Sequence, residues 1–484
     1  MIAQLSRNKY AISISLFIAS FILFFLNMDF RVVGDSLVYA NIVMNRNFDY
    51  LTVHIGYYLI VYALHAPLSL IHPVPLDEFL VYLNVLFGAL GIVVSFWLAN
   101  KFLNSYGLSA YCAIILMFSG EYFLNSTSAE IYISQTFFVL LSFYLFMEVR
   151  PALSGICAVI ALLISPLSVF SYAFFPLIFF VKKYEKKVLL IFSVIGVVLY
   201  GGFLLFIYQE LLWGARGMLK NAAVDLFSPV EGLIGFAKHM VKDFGLVIPL
   251  FFAGCLYIRK KRELLGVMAV IFVPNFYLIC QGLTGEGQTL PIDFFLCLLA
   301  ALGILYMKSG RRLQYAPGLL VILFVLSSLY LHDMLSLRSG TEYKKELRHL
   351  HESLIKDKQA VVITSWWDSI AYKYYNRQRD DYPLERYERE DYPLEIDEID
   401  EACFNQEHLK PNETERFDKY EKIYVLESYY PSRAAKLFLS HEKLMQKHEQ
   451  YSLKAKVEKM LNVTCRKVYS GYEDFDVFEA RRSG

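Results

Sequence analysis

The sequence GDSLVYA at residues 34–40 places a carboxylate just beyond the first long apolar segment. Residues 10–28 are apolar for long enough to cross a bilayer, so Asp35 falls at the membrane interface, where the first loop outside the cytoplasm begins. An acid in this position has two explanations. It can start a helix, because an apolar and aromatic run follows it, or it can be a functional acid. Its position alone leaves both open.

The composition is that of a membrane protein with many spans. Of the 484 residues, 56% are hydrophobic and 16% are aromatic, which is too apolar for a soluble chain of this length. The formal net charge is +1, and no basic run is interleaved with aromatic residues. Nucleic acid is therefore excluded as a partner, and membrane lipids are the expected surroundings.

Eleven segments are apolar enough to be transmembrane helices. They are residues 10–28, 79–100, 107–121, 131–148, 152–165, 167–181, 188–208, 244–258, 263–281, 290–307 and 314–331. Several are short, and the pair around Ser165-Pro166 can be one broken helix, so the count can differ by one or two. The sequence predicts a polytopic α-helical membrane domain over residues 1–332.

The basic residues of the short loops predict the orientation. With the N-terminus in the cytoplasm, the inside loops hold fifteen basic residues and the outside loops hold six. The clusters at 182–187 and 259–262 both lie inside in this arrangement. The protein is then multi-pass in the plasma membrane or endoplasmic reticulum, and its polar region, residues 333–484, is extracytoplasmic.

The first outer loop, residues 29–78, contains an apolar stretch of its own at 55–71. We interpret this stretch as an interfacial helix, because treating it as a span would place the basic clusters outside. In the polar region, residues 359–364 and 422–426 have the pattern of buried strands, and helical patterns flank them. A small C-terminal α/β domain is expected.

Ionisable residues recur in the loops that are predicted to lie outside. They are Asp35, His54, Glu121, Glu130, Arg216 and Lys220. Such residues suit a site that grips an anionic lipid headgroup and activates a hydroxyl. Each also has a structural explanation: Asp35 and Glu130 can cap helices, Arg216 can extend along the membrane surface, and His54 can be a hydrogen-bonded core histidine.

The order of these motifs resembles the GT-C superfamily of membrane glycosyltransferases, most of all its protein O-mannosyltransferase-like branch. After the first span come Gly-Asp-Ser with a following Tyr39, a long loop that reaches His54, and Ala-Glu-Ile-Tyr at 129–132 before a later span. The resemblance covers roughly the first 330 residues, and its motifs are short. The polar C-terminal region resembles outer domains appended to such enzymes, without a motif that can be assigned.

This resemblance implies transfer of a sugar, with a mannose-type hexose favoured, from a polyprenyl- or dolichyl-phosphate carrier to a hydroxyl of a protein or glycan acceptor. The reaction would take place outside the cytoplasm with inversion. Asp35 matches the superfamily's first-loop acid and is expected to be the base, with Glu130 as a second catalytic acid. His54 stands where relatives often carry His-Pro, but Ile55 follows it here.

Substrate binding is assigned to His54, Arg216, Lys220 and Tyr39. Arg216, with Lys220 or His54, is expected to stabilise the negative charge of the departing phosphate. This chemistry requires no cofactor. If a divalent ion such as Mg²⁺ or Mn²⁺ takes part, Asp35 and Glu130 are its expected ligands, as in relatives that use pyrophosphate-linked donors.

Two other classes of function compete with this one. A transporter or flippase of a lipid-linked saccharide would carry charges at mid-bilayer and an internal repeat, and we expect neither in the spans. A non-catalytic scaffold with an outer binding domain would need no acid at the membrane surface. The observation that separates the scaffold from the enzyme is whether Asp35, Glu130 and Arg216 share one cavity.

Overall fold

The computed structural model describes residues 2–30, 35–45, 54–166, 168–172, 186–202, 229–258, 290–308, 315–332 and 334, and five strands beyond them with the single residue 458. Chain contacts divide the protein into two compact units. The first combines residues 1–28 with 42–338, and the second combines residues 29–41 with 339–484.

Fourteen α-helices are present among the described residues. They are α1 Ile2–Leu26, α2 Asp35–Asn45, α3 Ile55–Ile71, α4 Leu76–Leu103, α5 Tyr106–Met117, α6 Gly120–Thr127, α7 Tyr132–Met147, α8 Pro151–Ile164, α9 Ser168–Tyr172, α10 Lys186–Ile195, α11 Pro229–Phe244, α12 Ile248–Ile258, α13 Leu290–Lys308 and α14 Ala316–Leu331. A π-helical turn, Gly196–Tyr200, follows α10, and a 3₁₀ turn, Gly245–Val247, joins α11 to α12.

Four stretches of described helix are long and apolar enough to cross a membrane. They are Lys9–Leu26, Leu76–Leu103, Phe236–Ile258 and Leu290–Met307, and the bent pair α5 and α6 makes a fifth. On α1, Ile14, Ile18 and Ile22 recur every four residues and are half exposed or more. An exposed apolar stripe of this kind is stable in lipid and costly in water, which fits an integral membrane protein.

Most of the predicted spans that lie within the described residues match a helix to within a few residues. The segment predicted at 107–121 differs, because α5 ends at Met117 and α6 starts at Gly120 with a bend of 66° between their axes. A Ser-Gly pair, Ser119 and Gly120, occupies the bend, and the His332 ring lies where a side chain at Gly120 would have to go. The prediction that Glu121 lies in a loop is therefore wrong, since it lies in the first turn of α6.

Two side-chain contacts show how α4 to α7 are arranged. Lys101 near the end of α4 forms an ion pair with Glu148 just after α7. At the opposite end of these helices, Asn84 of α4 donates a hydrogen bond to the Ser128 carbonyl, 2.8 Å away. The bent pair α5 and α6 therefore runs the full length of α7 and counts as one broken span.

Helix α3 has the bounds predicted for the interfacial helix, and it continues through Pro67. A Cβ at Gly56, in its first turn, would meet Leu163 of α8 at 2.6 Å, so only glycine allows the two helices to approach this closely. The interfacial position of α3 in a bilayer remains a prediction. Residues 263–281, predicted as a span, and residues 173–181 lie outside the described residues.

The second unit contains a five-stranded mixed sheet. Its strands are β1 Ala360–Thr364, β2 Glu395–Glu398, β3 Lys422–Ser428, β4 Val463–Ser470 and β5 Phe475–Arg482, in the order β2-β1-β3-β5-β4. β1 pairs in parallel with β2 and β3, and β5 pairs antiparallel with β3 and β4. The strands predicted at 359–364 and 422–426 are β1 and β3, and the helices expected to flank them lie outside the described residues.

Candidate functional site

Helix α2 begins at Asp35, so the position that the sequence singled out is the start of a helix. The structure describes the backbone of this residue and leaves its side chain undescribed. Tyr39, one turn later in the same helix, is buried with 4% of its surface exposed. A helix start is compatible with capping and with catalysis, so the role of Asp35 as base remains a prediction.

Glu130 lies in the connection between α6 and α7, and it is half-buried. The N-cap of α7 is Ile131, so Glu130 lies one residue before the position from which a side chain usually caps a helix. The buried Asn84 side chain donates hydrogen bonds to the backbone carbonyls of Ser128 and Glu130, and it accepts one from the Ser134 hydroxyl at 3.3 Å. Asn84 therefore fixes the backbone segment that presents the Glu130 carboxylate.

The first turn of α3 lies close to the same connection. The phenol of Tyr57, which is fully buried, is within electrostatic range of the Glu130 carboxylate and of Asn84. A buried phenol is a neutral hydrogen-bond donor, and donors of this kind beside a carboxylate can orient a sugar hydroxyl or a phosphate oxygen. Sequence analysis missed Tyr57 because its tyrosine-rich helix was interpreted only as an interfacial segment.

His54 immediately precedes α3 and is half-buried. Its Nδ1 lies 2.7 Å from the carbonyl oxygen of Ile164, at the end of α8. Because a carbonyl can only accept, Nδ1 carries the hydrogen, and in the neutral ring Nε2 is the unprotonated nitrogen. Burial lowers the pKa of His54, and its bond to the Ile164 carbonyl only partly offsets this effect, so the neutral form is favoured.

Arg216 and Lys220, the predicted phosphate-binding cations, lie in residues 203–228, outside the described residues. Asp35 belongs to the second unit, and Glu130 and His54 belong to the first. Whether Asp35, Glu130 and Arg216 share a cavity therefore remains a prediction. Among the described site residues, Glu130, Tyr57 and Asn84 are brought together, and His54 precedes Tyr57 by one turn.

A second group of ionisable residues lies deeper in the first unit, where three helices meet. Glu121 of α6, His239 and Asp243 of α11, and Asp293 of α13 place one nitrogen or oxygen atom each within 4.8 Å of one another. His239 Nδ1 lies 3.2 Å from Glu121 Oε2 and 3.0 Å from Asp243 Oδ2, and its Nε2 lies 3.0 Å from Asp293 Oδ1. We call these four residues the buried cluster.

All four residues of the buried cluster are shielded from solvent: Asp243 and Asp293 are 1% and 0% exposed. Asp293 is the fourth residue of α13, and Lys308 is the last. The helical rise between these two residues is about 22 Å. Asp293 lies inside the predicted span 290–307 but only three residues from its start, so the expectation that the spans carry no charge at mid-bilayer stays a prediction.

Two sequence signals could have revealed the buried cluster. His239 and Asp243 are four residues apart, a spacing that places both side chains on one face of a helix, but α11 was not predicted. Asp293 stands alone in an apolar run, which marks a functional carboxylate in a membrane helix. What the sequence could not show is that three separate helices bring these residues to one point.

No protein-family model and no curated protein sequence matches the chain. Solved structures do match it. ArnT from Cupriavidus metallidurans, bound to undecaprenyl phosphate, has a TM-score of 0.55 at 11% identity over 96% of this chain and 97% of that one. The Archaeoglobus fulgidus oligosaccharyltransferase, in complex with Zn and sulfate, has a TM-score of 0.55 at 14% identity over 97% of this chain and 73% of that one.

The fold is that of the GT-C membrane glycosyltransferases. A further structure of the archaeal oligosaccharyltransferase, tethered to an acceptor peptide containing the NVT sequon, matches with a TM-score of 0.53 at 11% identity. The fold expected from the sequence motifs is thus confirmed. The protein O-mannosyltransferase-like branch remains a prediction.

Proposed function

We propose that the protein is a GT-C-type glycosyltransferase that moves a sugar from a polyprenyl- or dolichyl-phosphate carrier to an acceptor hydroxyl outside the cytoplasm. The observation that carries this proposal is the likeness to ArnT, which spans 96% of this chain and 97% of that one. The ArnT structure holds undecaprenyl phosphate, a lipid of the proposed carrier class. A mannose-type hexose is the favoured sugar, and a protein or glycan is the favoured acceptor.

The position of the acids supports the same chemistry. Asp35 starts the first helix after α1, and Glu130 stands in a connection whose backbone the buried Asn84 holds in place. Catalysis needs side chains whose positions are fixed before substrate binds. The hydrogen bonds from Asn84 provide this fixation for Glu130, and the packing of Gly56 against Leu163 provides it for the first turn of α3.

In the proposed step, the acceptor oxygen attacks the anomeric carbon of the donor sugar from the face opposite the phosphate. The new carbon–oxygen bond forms as the bond from that carbon to the phosphate oxygen breaks. Asp35 takes the proton of the attacking hydroxyl, and the polyprenyl phosphate leaves with the bonding electron pair. The product has inverted configuration, and the base contributes on the order of a hundred- to ten-thousand-fold in rate.

The departing phosphate needs a positive partner. Arg216, with Lys220 or His54, is our candidate for this role, because a guanidinium can bind two phosphate oxygens at once. His54 can fill this role only when it is also protonated on Nε2, because in the neutral ring Nδ1 donates its hydrogen to Ile164 and Nε2 can only accept. A Mg²⁺ or Mn²⁺ ion held by Asp35 and Glu130 would supply the same stabilisation if the carrier is a pyrophosphate.

A transporter of a lipid-linked saccharide is the second candidate, and two observations favour it. Ionisable side chains are buried between helices at the buried cluster, and α5 and α6 form a broken span. A transporter would move the lipid across the bilayer and leave the sugar–phosphate bond intact. The likeness to glycosyltransferases makes the enzyme the stronger candidate.

The test uses membranes that contain the full-length protein and radiolabelled polyprenyl-phosphate sugars, offered one at a time. Release of unlabelled polyprenyl phosphate together with label on an acceptor supports the enzyme. The other outcome is that the labelled lipid moves between the leaflets of proteoliposomes with its sugar–phosphate bond intact, while no acceptor is labelled with any donor. The transporter hypothesis would then replace the enzyme hypothesis. The Asp35→Asn variant in parallel shows whether the observed transfer belongs to this protein.

A further inference from the structure

We propose that Glu121, His239 and Asp243 bind a divalent transition-metal ion, and that Asp293 orients the His239 imidazole for this role. Zn²⁺ is the ion we would test first. This site is distinct from the ion that Asp35 and Glu130 would hold in the proposed reaction, and it does not depend on that reaction. It lies within one compact unit of the protein and joins three of its helices.

The distances within the buried cluster suit a small metal ion. Zinc lies about 2.0–2.2 Å from histidine nitrogen and carboxylate oxygen, so two ligand atoms of a tetrahedral site are about 3.3 Å apart. His239 Nδ1 is 3.2 Å from Glu121 Oε2 and 3.0 Å from Asp243 Oδ2. The candidate ligand atoms of the cluster all lie within 4.8 Å of one another, so an ion can occupy the space among Glu121, His239 and Asp243 once their side chains draw in around it.

The other imidazole nitrogen already has the partner that metal-bound histidines use. His239 Nε2 lies 3.0 Å from Asp293 Oδ1, and Asp293 is fully buried. A histidine that ligates a metal through one nitrogen commonly donates its other N–H to a carboxylate, which fixes the ring. On binding, Nδ1 gives up any proton it carries to solvent, and Nε2 keeps the hydrogen that it donates to Asp293.

The carboxylates of the cluster have unused capacity for a ligand. Asp243 Oδ1 and Asp293 Oδ2 are buried with no hydrogen-bond partner, and each belongs to a carboxylate whose other oxygen contacts His239. In the described part of the chain, these two carboxylates form ion pairs with His239 and none with lysine or arginine. Buried oxygens of this kind are costly unless a cation or a proton reaches them.

The ligand set indicates the class of ion. A hard ion such as Mg²⁺ or Ca²⁺ takes oxygen ligands, whereas one imidazole among carboxylates suits Zn²⁺, Fe²⁺ or Mn²⁺. Glu121 belongs to α6, His239 and Asp243 belong to α11, and Asp293 of α13 orients the His239 ring, so the ion would tie the broken span directly to α11 and, through His239, to α13. Binding to the folded form alone would then raise the thermal stability of the protein.

The test measures the metal content of the full-length protein purified in detergent, dialysed with Zn²⁺ and then freed of unbound ion. We expect close to one equivalent of zinc in the wild type, and none above background in His239→Gln and Asp243→Asn. Asp293→Asn should weaken binding by about 10- to 100-fold, the usual effect of removing the carboxylate behind a metal-bound histidine. Asp77→Asn, a buried carboxylate elsewhere in the same unit, is the matched control and should keep its zinc.

The Glu130→Gln variant distinguishes zinc bound at the buried cluster from an ion held by Asp35 and Glu130. We expect this variant to keep the zinc as well. Loss of zinc in Glu130→Gln with retention in His239→Gln would overturn the proposal, as would a wild type that binds no zinc or an equal load in all variants. If the cluster variants fail to fold, the melting temperature of the wild type still tests the proposal. Chelation should lower its melting temperature and zinc should restore it, and an unchanged melting temperature would refute the site.

Discussion

Glu121 lies in the first turn of the short helix α6, and Glu130 lies just beyond its last residue, so the eight residues of α6 place about 12 Å of helical rise between the two ends. Glu121 is buried beside His239 in the interior of the first unit, and Glu130 is half-buried in the connection to α7. One half of a broken span therefore separates two acidic sites with different surroundings. Substitutions at one site can be used as controls for the other.

Asp35→Asn should abolish sugar transfer while expression and thermal stability stay close to wild type. Asparagine keeps the size and the capping oxygen, so a helix cap loses only a few tenths of a kcal/mol. A general base loses nearly all activity, because the amide cannot take the proton. Asp29→Asn, at the start of the same loop, is the control and should transfer normally. Retention of more than about a tenth of wild-type transfer by Asp35→Asn would move the role of base to Glu130.

Arg216→Ala should weaken both donor binding and turnover, seen as a higher KM for the lipid donor and a lower kcat. The reason is that the guanidinium would contact the phosphate in the bound donor and stabilise its charge as it departs. Arg216→Lys should recover part of the activity, because it keeps the charge and loses the two-point contact. Unchanged kinetics in Arg216→Ala would remove this residue from the site.

Asn84→Ala should destabilise the protein by about 1–3 kcal/mol, because the carbonyls of Ser128 and Glu130 lose their buried donor. Transfer should fall as well, since the segment that presents Glu130 is no longer fixed. Ser95→Ala is the matched control: it is buried on the same helix, but its hydroxyl bonds only to Ile92 one turn earlier. Denaturation in detergent, followed by the transfer assay, measures both effects. Equal stabilities of the two variants would contradict the role given to Asn84.

His54 should make the protein less stable in acid. Burial lowers its pKa in the folded protein, so below about pH 6.5 the unfolded chain takes up a proton that the folded protein resists. This contribution to stability is complete above that pH and is lost as the pH falls towards the folded-state pKa. Melting temperatures of the wild type and His54→Gln, compared across this range, should converge in acid. Parallel curves would show that His54 does not titrate in this way.

The orientation follows from the distribution of basic residues, and it predicts an extracytoplasmic C-terminus. A reporter that is active only outside the cytoplasm, fused after Gly484, should work, and a cytoplasm-specific reporter at the same position should not. The structure supports one element of this topology, since Lys9 lies over the ring of Trp97 in α4 and Lys101 of the same helix pairs with Glu148. Lys9 and Lys101, which are both predicted to lie on the inner side, are thus found at the same end of α4.

Much of the fold could be predicted from the sequence, because hydropathy directly reports which segments a bilayer accepts. α3 has the predicted bounds, and α4, α7, α8 and α13 differ from theirs by a few residues. The bend at Ser119 and Gly120 could not be predicted in this way. The apolar pattern on both sides of it is typical of helix, and the residue that packs against Gly120 at the bend, His332, is more than two hundred residues away in the chain.

The candidate site was predicted less completely, for two physical reasons. Glu130 was found because an acid at the end of an apolar run is conspicuous, whereas Tyr57 and Asn84 act on it through tertiary contacts. His239 and Asp243 lie on an amphipathic helix with exposed Lys238 and Lys242 beside them. Such a pattern is typical of an amphipathic surface helix, and the sequence does not show that its buried face meets α6 and α13.

The contact between α12 and α13 involves the backbone itself. A side chain at Gly254 would strike the carbonyl oxygen of Leu299, and one at Gly303 would strike that of Leu250, so each helix requires glycine where the other passes. The backbones of α12 and α13 therefore determine the distance between these two helices. The same contact fixes the position of α13, the helix that carries Asp293. Exposed apolar side chains of α12, such as Phe252 and Leu256, can change in identity without moving that carboxylate, which illustrates how an architecture can persist between proteins that share 11–14% of their residues.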